Sequence, residues 1–324
     1  MKRITYTASM AVLAAAVFAG PTTALGQTMV VATNPQGSAY YAVGAAIAQA
    51  VSENTGLQLL VQPTSGSSEN VTLLEQGDIE FAILNTVELA WAQTGDVIHN
   101  GKRHENLRLV SAMFQFPISI AVAADSDIQS IEDLAGHRMP SEYATHLTIK
   151  YIKDAILNTA DLTADDLQGL PVANYVQGME ALGDQRVDAA VLGPTSGAAR
   201  EIDSRLSGRG GIRLLEVSRT DEALEAMREK FPGAQHHLLA GDRGLPGADT
   251  DTNVMAWSGF LAVNADVPAD RVRTIVEALI DHADTLAAAT PTLAAFGPDS
   301  MIEDHPVPFH DGAVEAYRDR GMMQ

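Results

Sequence analysis

Residues 57–86 read L-Q-L-L-V-Q-P-T-S-G-S-S-E-N-V-T-L-L-E-Q-G-D-I-E-F-A-I-L-N-T, and this stretch decides the fold class. Leu57 to Val61 is an apolar run of strand length. It breaks at T-S-G-S-S-E-N (64–70), a polar turn ending in residues that cap helices well. The short helix it opens ends near Gly77. Ile79, Phe81 and Ile83 then alternate in another strand, and Asn85-Thr86 caps a helix running through Trp91. Strands alternating with helices predict an α/β fold with a largely parallel sheet flanked by helices.

The pattern extends in both directions. Upstream, Met29 to Ala32 reads as a strand, followed by N-P-Q-G-S-A-Y-Y (34–41). Val43, Ile47, Ala50 and Val51 then recur with helical spacing, and Gly56 is a plausible stop. Downstream, D-I-E-F-A-I-L-N-T (78–86) aligns with R-V-D-A-A-V-L-G-P (186–194) at an offset of 108. The same offset sets Val71 over Met179, Leu74 over Leu182 and Pro63 over Pro171, an echo of two similar halves. Each half has a polar loop at the carboxyl end of a buried strand, where ligands of open α/β sheets bind. Pro117–Ala124 and Asn253–Val263 are extended apolar runs, the second followed by a long helix over roughly 268–288. Two such runs imply that the chain crosses between lobes and returns. The expected division is a discontinuous lobe I (27–119 plus 255–324) around lobe II (120–254).

The first residues read as a targeting signal over 1–26. Lys2 and Arg3 precede an apolar stretch from Ala8 to Ala19, and small residues at Ala24 and Gly26 suit cleavage before Gln27. That stretch falls short of the ~20 apolar residues a membrane-spanning helix needs. The 324 residues include 21 Lys plus Arg against 41 Asp plus Glu, a formal charge of −20. Nucleic acid and anionic membranes are poor partners for such a chain, because attraction to phosphate needs clustered positive charge. The absence of cysteine removes disulfides, thiolate nucleophiles, cysteine–zinc sites and iron–sulfur clusters. An acidic, exported chain without cysteine is expected in a periplasm.

No motif demands catalysis. G-P-T-S-G (193–197) has its serine one place late for a nucleophile elbow, and 34–41 lacks dinucleotide-phosphate spacing. D-T-D-T-N (249–253) begins like a calcium loop, but Val254 and Phe260 stand where glycine and glutamate belong. His305 and His310, near Glu303 and Asp304, are separated by two prolines and fit no standard zinc spacing. The chain is read as a non-enzyme without cofactor or metal.

Polar loops that open helices are what it has instead, at 34–41, 64–70, 85–86, 141–148 and 193–197. Helix N-termini carry unpaired N–H groups and the positive end of the dipole, so such loops receive anions, carboxylates above all. Any one serine or threonine there could simply cap its helix; binding requires that several converge on one cleft. Because the chain is so acidic, attraction for an anion must be local, from dipoles and Arg138. Tyr40 and Tyr41 point to different sides of a helix start, and Trp91 and Trp257 read as packing.

In order along the chain, these motifs resemble the TAXI family of solute receptors for TRAP transporters, tripartite secondary uptake systems. A-T-N-P-Q-G-S-A-Y-Y-A-V-G (32–44) is similar to that family's Gly-rich strand-to-helix segment, and T-S-G-S-S-E-N to its G-S-x-x-N turn. Q-G-D-I-E-F-A-I-L-N (76–85) resembles its third strand, I-E-D-L-A-G-H-R (131–138) the opening of its second domain, and V-P-F-H-D-G-A-V-E-A-Y-R (307–318) its C-terminal segment. One loop departs: M-P-S-E-Y-A-T-H-L-T (139–148) has no glycine where the family has a Gly/Ser-rich turn, and its Glu142 would repel a carboxylate or select a cationic group. The resemblance implies a two-lobed, type II-like periplasmic binding fold. It also implies a monomer that captures a small organic acid or amino acid and delivers it to membrane subunits, as a fused permease. The alternatives are a periplasmic ligand sensor subunit for a signalling partner and, after it, a periplasmic enzyme. The expected ligand residues are Asn34, Gly37, Ser38, Tyr40, Tyr41, Ser67, Ser68, Asn70, Asn85 and Thr86 from one lobe. Ser141, Glu142, Thr145, Thr195 and Ser196 close from the other, with Ser38 and Thr145 facing across the cleft. His310 is expected to tie down the C-terminal segment.

Overall fold

The computed structural model describes residues 28–324; the expected signal over 1–26 lies outside the described residues. The chain opens with β1 (Thr28–Thr33), α1 (Ala39–Asn54), β2 (Gln58–Pro63), α2 (Ser67–Gln76), β3 (Phe81–Asn85) and α3 (Thr86–Thr94). β1 pairs in parallel with β2 on one side and with β3 on the other. The punctuation follows local chemistry. Ser38 caps α1 by accepting from the Tyr41 amide, and α1 stops at Thr55 rather than Gly56. α2 and α3 end at Gly77 and Gly95, both in the left-handed conformation that glycine adopts without strain. β3 is buried along its whole length. Phe81 and Ile83 face one apolar core while Ala82 and Leu84 face the other, so helices cover both faces of the sheet.

β4 (Leu107–Ala123) is the first of two long strands. It leads into β5 (Arg138–Glu142), α4 (Thr148–Asn158), β6 (Gln168–Val172), α5 (Tyr175–Gly183), β7 (Ala189–Leu192), α6 (Gly197–Arg205), β8 (Ile212–Leu214), α7 (Asp221–Lys230) and β9 (Gln235–Leu239). The second long strand, β10 (Thr252–Asn264), is buried at every residue. α8 (Ala269–Asp281), α9 (Ala283–Ala289) and α10 (Asp311–Asp319) complete the chain. The single helix expected over 268–288 is thus two, broken at His282, whose backbone leaves the helical region.

The result is an α/β, two-lobed architecture built on one mixed sheet in the order β2-β1-β3-β10-β4-β7, with β5 and β6 forming a separate parallel pair. Parallel pairing is confined to the βα units. The long strands pair antiparallel with every strand they touch, because each runs back along the other. β4 changes partners along its length: Leu107 to Ile118 lie against β10, and Ser119 onward against β7. β10 likewise pairs with β9 over Thr252–Ala256 and with β3 from Gly259. We propose that the lobes divide at these changes. The echo in the sequence has a structural counterpart: α2 starts at 67 and α5 at 175, β3 at 81 and β7 at 189, each pair 108 apart.

α10 returns to the first lobe and lies against α8. His310 caps it, its Nδ1 accepting from the Gly312 amide at 3.1 Å. A Cβ on Gly312 would collide with the Ala269 backbone carbonyl, an atom that cannot swing aside. Gly312→Ala is therefore expected to lower stability by about 1–3 kcal/mol, the range for forcing a methyl into a packed interior. Urea unfolding measures this, and an unchanged midpoint would mean that α10 slides off α8 at no cost.

Candidate functional site

Helix starts from both lobes meet at one place. From the first lobe come the N-cap of α1 (Ser38), the start of α2 (Ser67) and the N-cap of α3 (Asn85). From the second come His146 and Thr148 at the start of α4 and Tyr175 at the start of α5. Phe116 of β4 and Trp257 of β10 form the floor. Together these residues, with Asn34, Tyr40, Ile149 and Ile152, line a cavity of about 20 Å³. A water needs roughly 10–15 Å³ of such space, so at this point the lobes leave room for little more than one.

The lobes touch where glycine permits it. The Gly37 carbonyl accepts from the Ala198 amide at 3.0 Å, and a Cβ on Gly66 would stand 2.7 Å from the His146 ring. The aromatic floor is tied together: Trp257 Nε1 donates to the Tyr40 hydroxyl at 2.9 Å, and Phe116 meets both rings edge-on. Tyr175 accepts from the Gly193 amide at 2.6 Å, fixing α5 to the end of β7.

The polar atoms are held by one acid. Glu88, in the first turn of α3, is fully buried. Its carboxylate accepts from Ser68 Oγ at 2.8 Å and Asn85 Nδ2 at 3.1 Å, while its amide donates to Asn85 Oδ1 at 2.7 Å. Burial raises this carboxyl to about 7, against the opposing pull of those hydroxyl and amide donors. Thr148 presents its hydroxyl to the same carboxylate from the other lobe. Burial also depresses His146 to about 4, so the ring is neutral at physiological pH, and its Nδ1 has no partner among the described residues. Among the described residues, no lysine or arginine lines the cavity.

Residues 31–321 match the sequence profile of the NMT1-like family. The chain belongs to that family. Among solved structures, it is similar to a histidine kinase sensor domain with similarity to periplasmic binding proteins (14% identity, 82% of this chain and 95% of that one, TM-score 0.49). It is also similar to a protein of Bordetella bronchiseptica RB50 (16% identity, 92% and 89% covered, TM-score 0.49). A third is an ancestral arginine-binding protein bound to arginine (14% identity, 82% and 97% covered, TM-score 0.47).

The NMT1-like fold brings some of the sequence-predicted residues together and separates others. Asn34, Ser38, Tyr40, Ser67 and Asn85 line the cavity. Ser68 stands behind it on Glu88, and Gly37 makes the Ala198 contact. Asn70 is buried one turn further along α2, accepting from Thr64 at 2.7 Å, and Tyr41 is half-buried on α1. Thr86 turns outward, its carbonyl receiving His305 at 2.9 Å. Ser141 and Glu142 belong to β5, which pairs with β6; Glu142 lines an outer groove, and neither residue lines the cavity. Thr145 is exposed and donates to the Ala173 carbonyl, so the expected Ser38–Thr145 pair is not formed. Arg138 is taken by Asp188 at the surface, through two bonds of 2.6 and 3.1 Å, and offers no charge to the cleft. Ser196 caps α6, and Thr195 accepts from Thr292 at the edge of a separate hollow of about 340 Å³ beside the long strands.

Trp257, read in the sequence as packing, forms part of the cavity wall. Glu88 was missed altogether, because N-T-V-E has the spacing of an ordinary capping box, whose glutamate is normally at the surface. The surrounding V-E-L-A-W, apolar on both sides of the acid, was the available signal.

A carboxyl raised from 4.5 to about 7 favours folding only while protonated. Its contribution is complete below pH 4.5 and is lost as pH climbs through 7, approaching about 3 kcal/mol by pH 8. Glu88→Gln should therefore be more stable than the wild type at pH 8 and close to it at pH 4.5. Urea titrations at the two pH values test this; a difference independent of pH would mean that Glu88 is hydrated in solution.

Proposed function

We propose that the protein is an extracytoplasmic solute-binding receptor that captures a small polar solute between its lobes and delivers it to membrane subunits of a TRAP-type secondary transporter. The observation that carries the reading is the interlobe cavity, where helix starts from both lobes place buried polar groups around an aromatic floor. One of those groups, His146 Nδ1, lacks a partner among the described residues. Buried polar atoms are nearly always hydrogen-bonded, so an unpaired one in a cleft suits a guest that completes it. Family membership and the ordered receptor motifs support the same reading, and a periplasmic, monomeric, non-catalytic protein accords with it.

Mechanically, the lobes swing about β4 and β10. Solute shifts the balance between open and closed forms only by the difference in its affinity for the two. Closing buries the solute against both lobes at once, and that is where the difference arises. The closed form presents a different outer surface for membrane subunits to recognise.

Two measurements test this. Thermal-shift screening against amino acids, organic acids, amines and sugars should find a stabilising solute that is recovered unchanged; turnover would indicate an enzyme. Reconstituted with its membrane subunits, the receptor should support uptake driven by an ion gradient without ATP. Gly66→Ala separates closing from folding. Its methyl meets the His146 ring only when the lobes are together. Calorimetry should show solute affinity about tenfold weaker, equivalent to ~1.4 kcal/mol, at nearly unchanged melting temperature.

A further inference from the structure

We infer that the solute carries a protonated amine or quaternary ammonium group, held against the rings of Tyr40, Phe116, Tyr175 and Trp257 with Glu88 as its counter-charge. This rests on the receptor reading and names the solute class for that cleft.

The first argument concerns where an anion would go. Helix N-termini attract anions through free amides and the positive dipole end. Here one amide or more is already engaged at the starts of α1, α3 and α6, while α2 and α4 carry no side-chain cap. Ser38 Oγ takes the Tyr41 amide at 3.1 Å, Asn85 Oδ1 takes that of Glu88, and Ser196 Oγ takes that of Ala199 at 3.1 Å. The Ala198 amide goes to Gly37. The place an incoming carboxylate would take, between the starts of α2 and α3, already holds the Glu88 carboxylate, bonded to Ser68 and Asn85. The protein supplies its own anion, and a second one would meet it in a low-dielectric interior without a lysine or arginine in the cavity wall.

The second argument is that the same surroundings suit a cation. Glu88 lies one side chain behind Ser67, Asn85 and Thr148, all of which line the cavity. A carboxylate offers about four acceptor positions; Ser68 and Asn85 take two, and the hydroxyls of Ser67 and Thr148 stand beside the others. Aromatic rings attract cations through their faces, most strongly when water is excluded. The neutral His146 adds an unpaired ring nitrogen without competing positive charge. Tyr40 is the titratable group whose field couples to Glu88, while α2 and α4 present only hydroxyls to it. A bound cation therefore favours the ionised carboxylate, and cation affinity rises as pH climbs through about 7.

Calorimetry and thermal shifts, with tetramethylammonium, choline and putrescine set against succinate, glutarate and ribose, test the inference. At least one of the three cations should bind at pH 8, at least fivefold more tightly than at pH 6, and succinate should not bind. Glu88→Gln should weaken the cation at least tenfold and abolish its pH dependence. Phe116→Leu keeps the apolar wall but removes a ring, and should weaken it severalfold; it also guards against misfolding of the Glu88 variant. Binding of succinate, glutarate or ribose without any cation overturns the inference and leaves the receptor reading intact. A cation that binds Glu88→Gln as well as the wild type also overturns it. If none of the six compounds shifts the melting temperature, the cation inference falls, and the receptor reading falls only if the wider solute screen is empty as well.

Discussion

The antiparallel pairing of β4 with β10 is the constraint on which the rest of the molecule depends. From Leu107–Asn264 to Ile118–Met255 the two strands run side by side through the centre of the sheet, nearly every residue buried. β10 carries β3 along one stretch and β9 along another, and β4 carries β7 and β8 beyond its own change of partner. Each lobe is therefore attached to the same ladder rather than to a flexible linker. A ladder of backbone hydrogen bonds bends and twists but does not extend, so it permits rotation of the lobes and forbids their separation. Breaks in register between Gly259 and Phe260 and between Leu261 and Ala262 place irregularity within this pair, where bending costs least.

The fold was legible in the sequence because its signals are local. Alternation, N-caps and glycine stops placed β1 to β3 and α1 to α3 within a few residues, and the run 253–263 marked β10, whereas the run 117–124 caught only the last part of β4, which starts at Leu107. What was not legible arises from register and tertiary approach. The loop 139–148 looked like a binding wall in sequence, yet Ser141 and Glu142 pair as β-strand with β6, and only His146 and Thr148 beyond them reach the cleft. Arg138 looked like a local cation until Asp188, 50 positions away, closed on it. Thr195 and Ser196 sit at a strand's carboxyl end as expected, but one meets Thr292 and the other caps its helix. Partner choice over long separations carries no pattern in a single chain, and these errors share that cause.

Charge placement follows a related logic. The chain carries 41 acidic residues against 21 basic ones, and most of that charge is solvated. Glu88 is different: it is fully buried at the start of α3 and surrounded by donors from its own lobe. Burying a carboxylate costs several kcal/mol unless donors or counter-charges compensate. The helix-start dipole and the two donors supply part of the compensation, and the raised proton affinity shows that they do not supply all of it. The deficit matters because it makes the pocket selective: whatever completes the compensation binds, and whatever adds to the deficit is excluded.

The contacts between the lobes are of two kinds. Ala198 to Gly37 and Thr292 to Thr195 are polar, while the approaches of His146 to Gly66 and of Gly233 to Thr86 and Val87, and the edge-on rings of Trp91 against Tyr151 and Phe231, are packing. Glycine sets how near the backbones come, and the rings supply apolar area. Against these contacts stands the unpaired His146 Nδ1, a burden of about 1–3 kcal/mol when sealed away from water. A two-state element poised near balance responds to a modest difference in affinity, whereas a strongly favoured form ignores it. On the proposed receptor role, a buried group without a partner is the place where a small solute can add to the balance between open and closed forms.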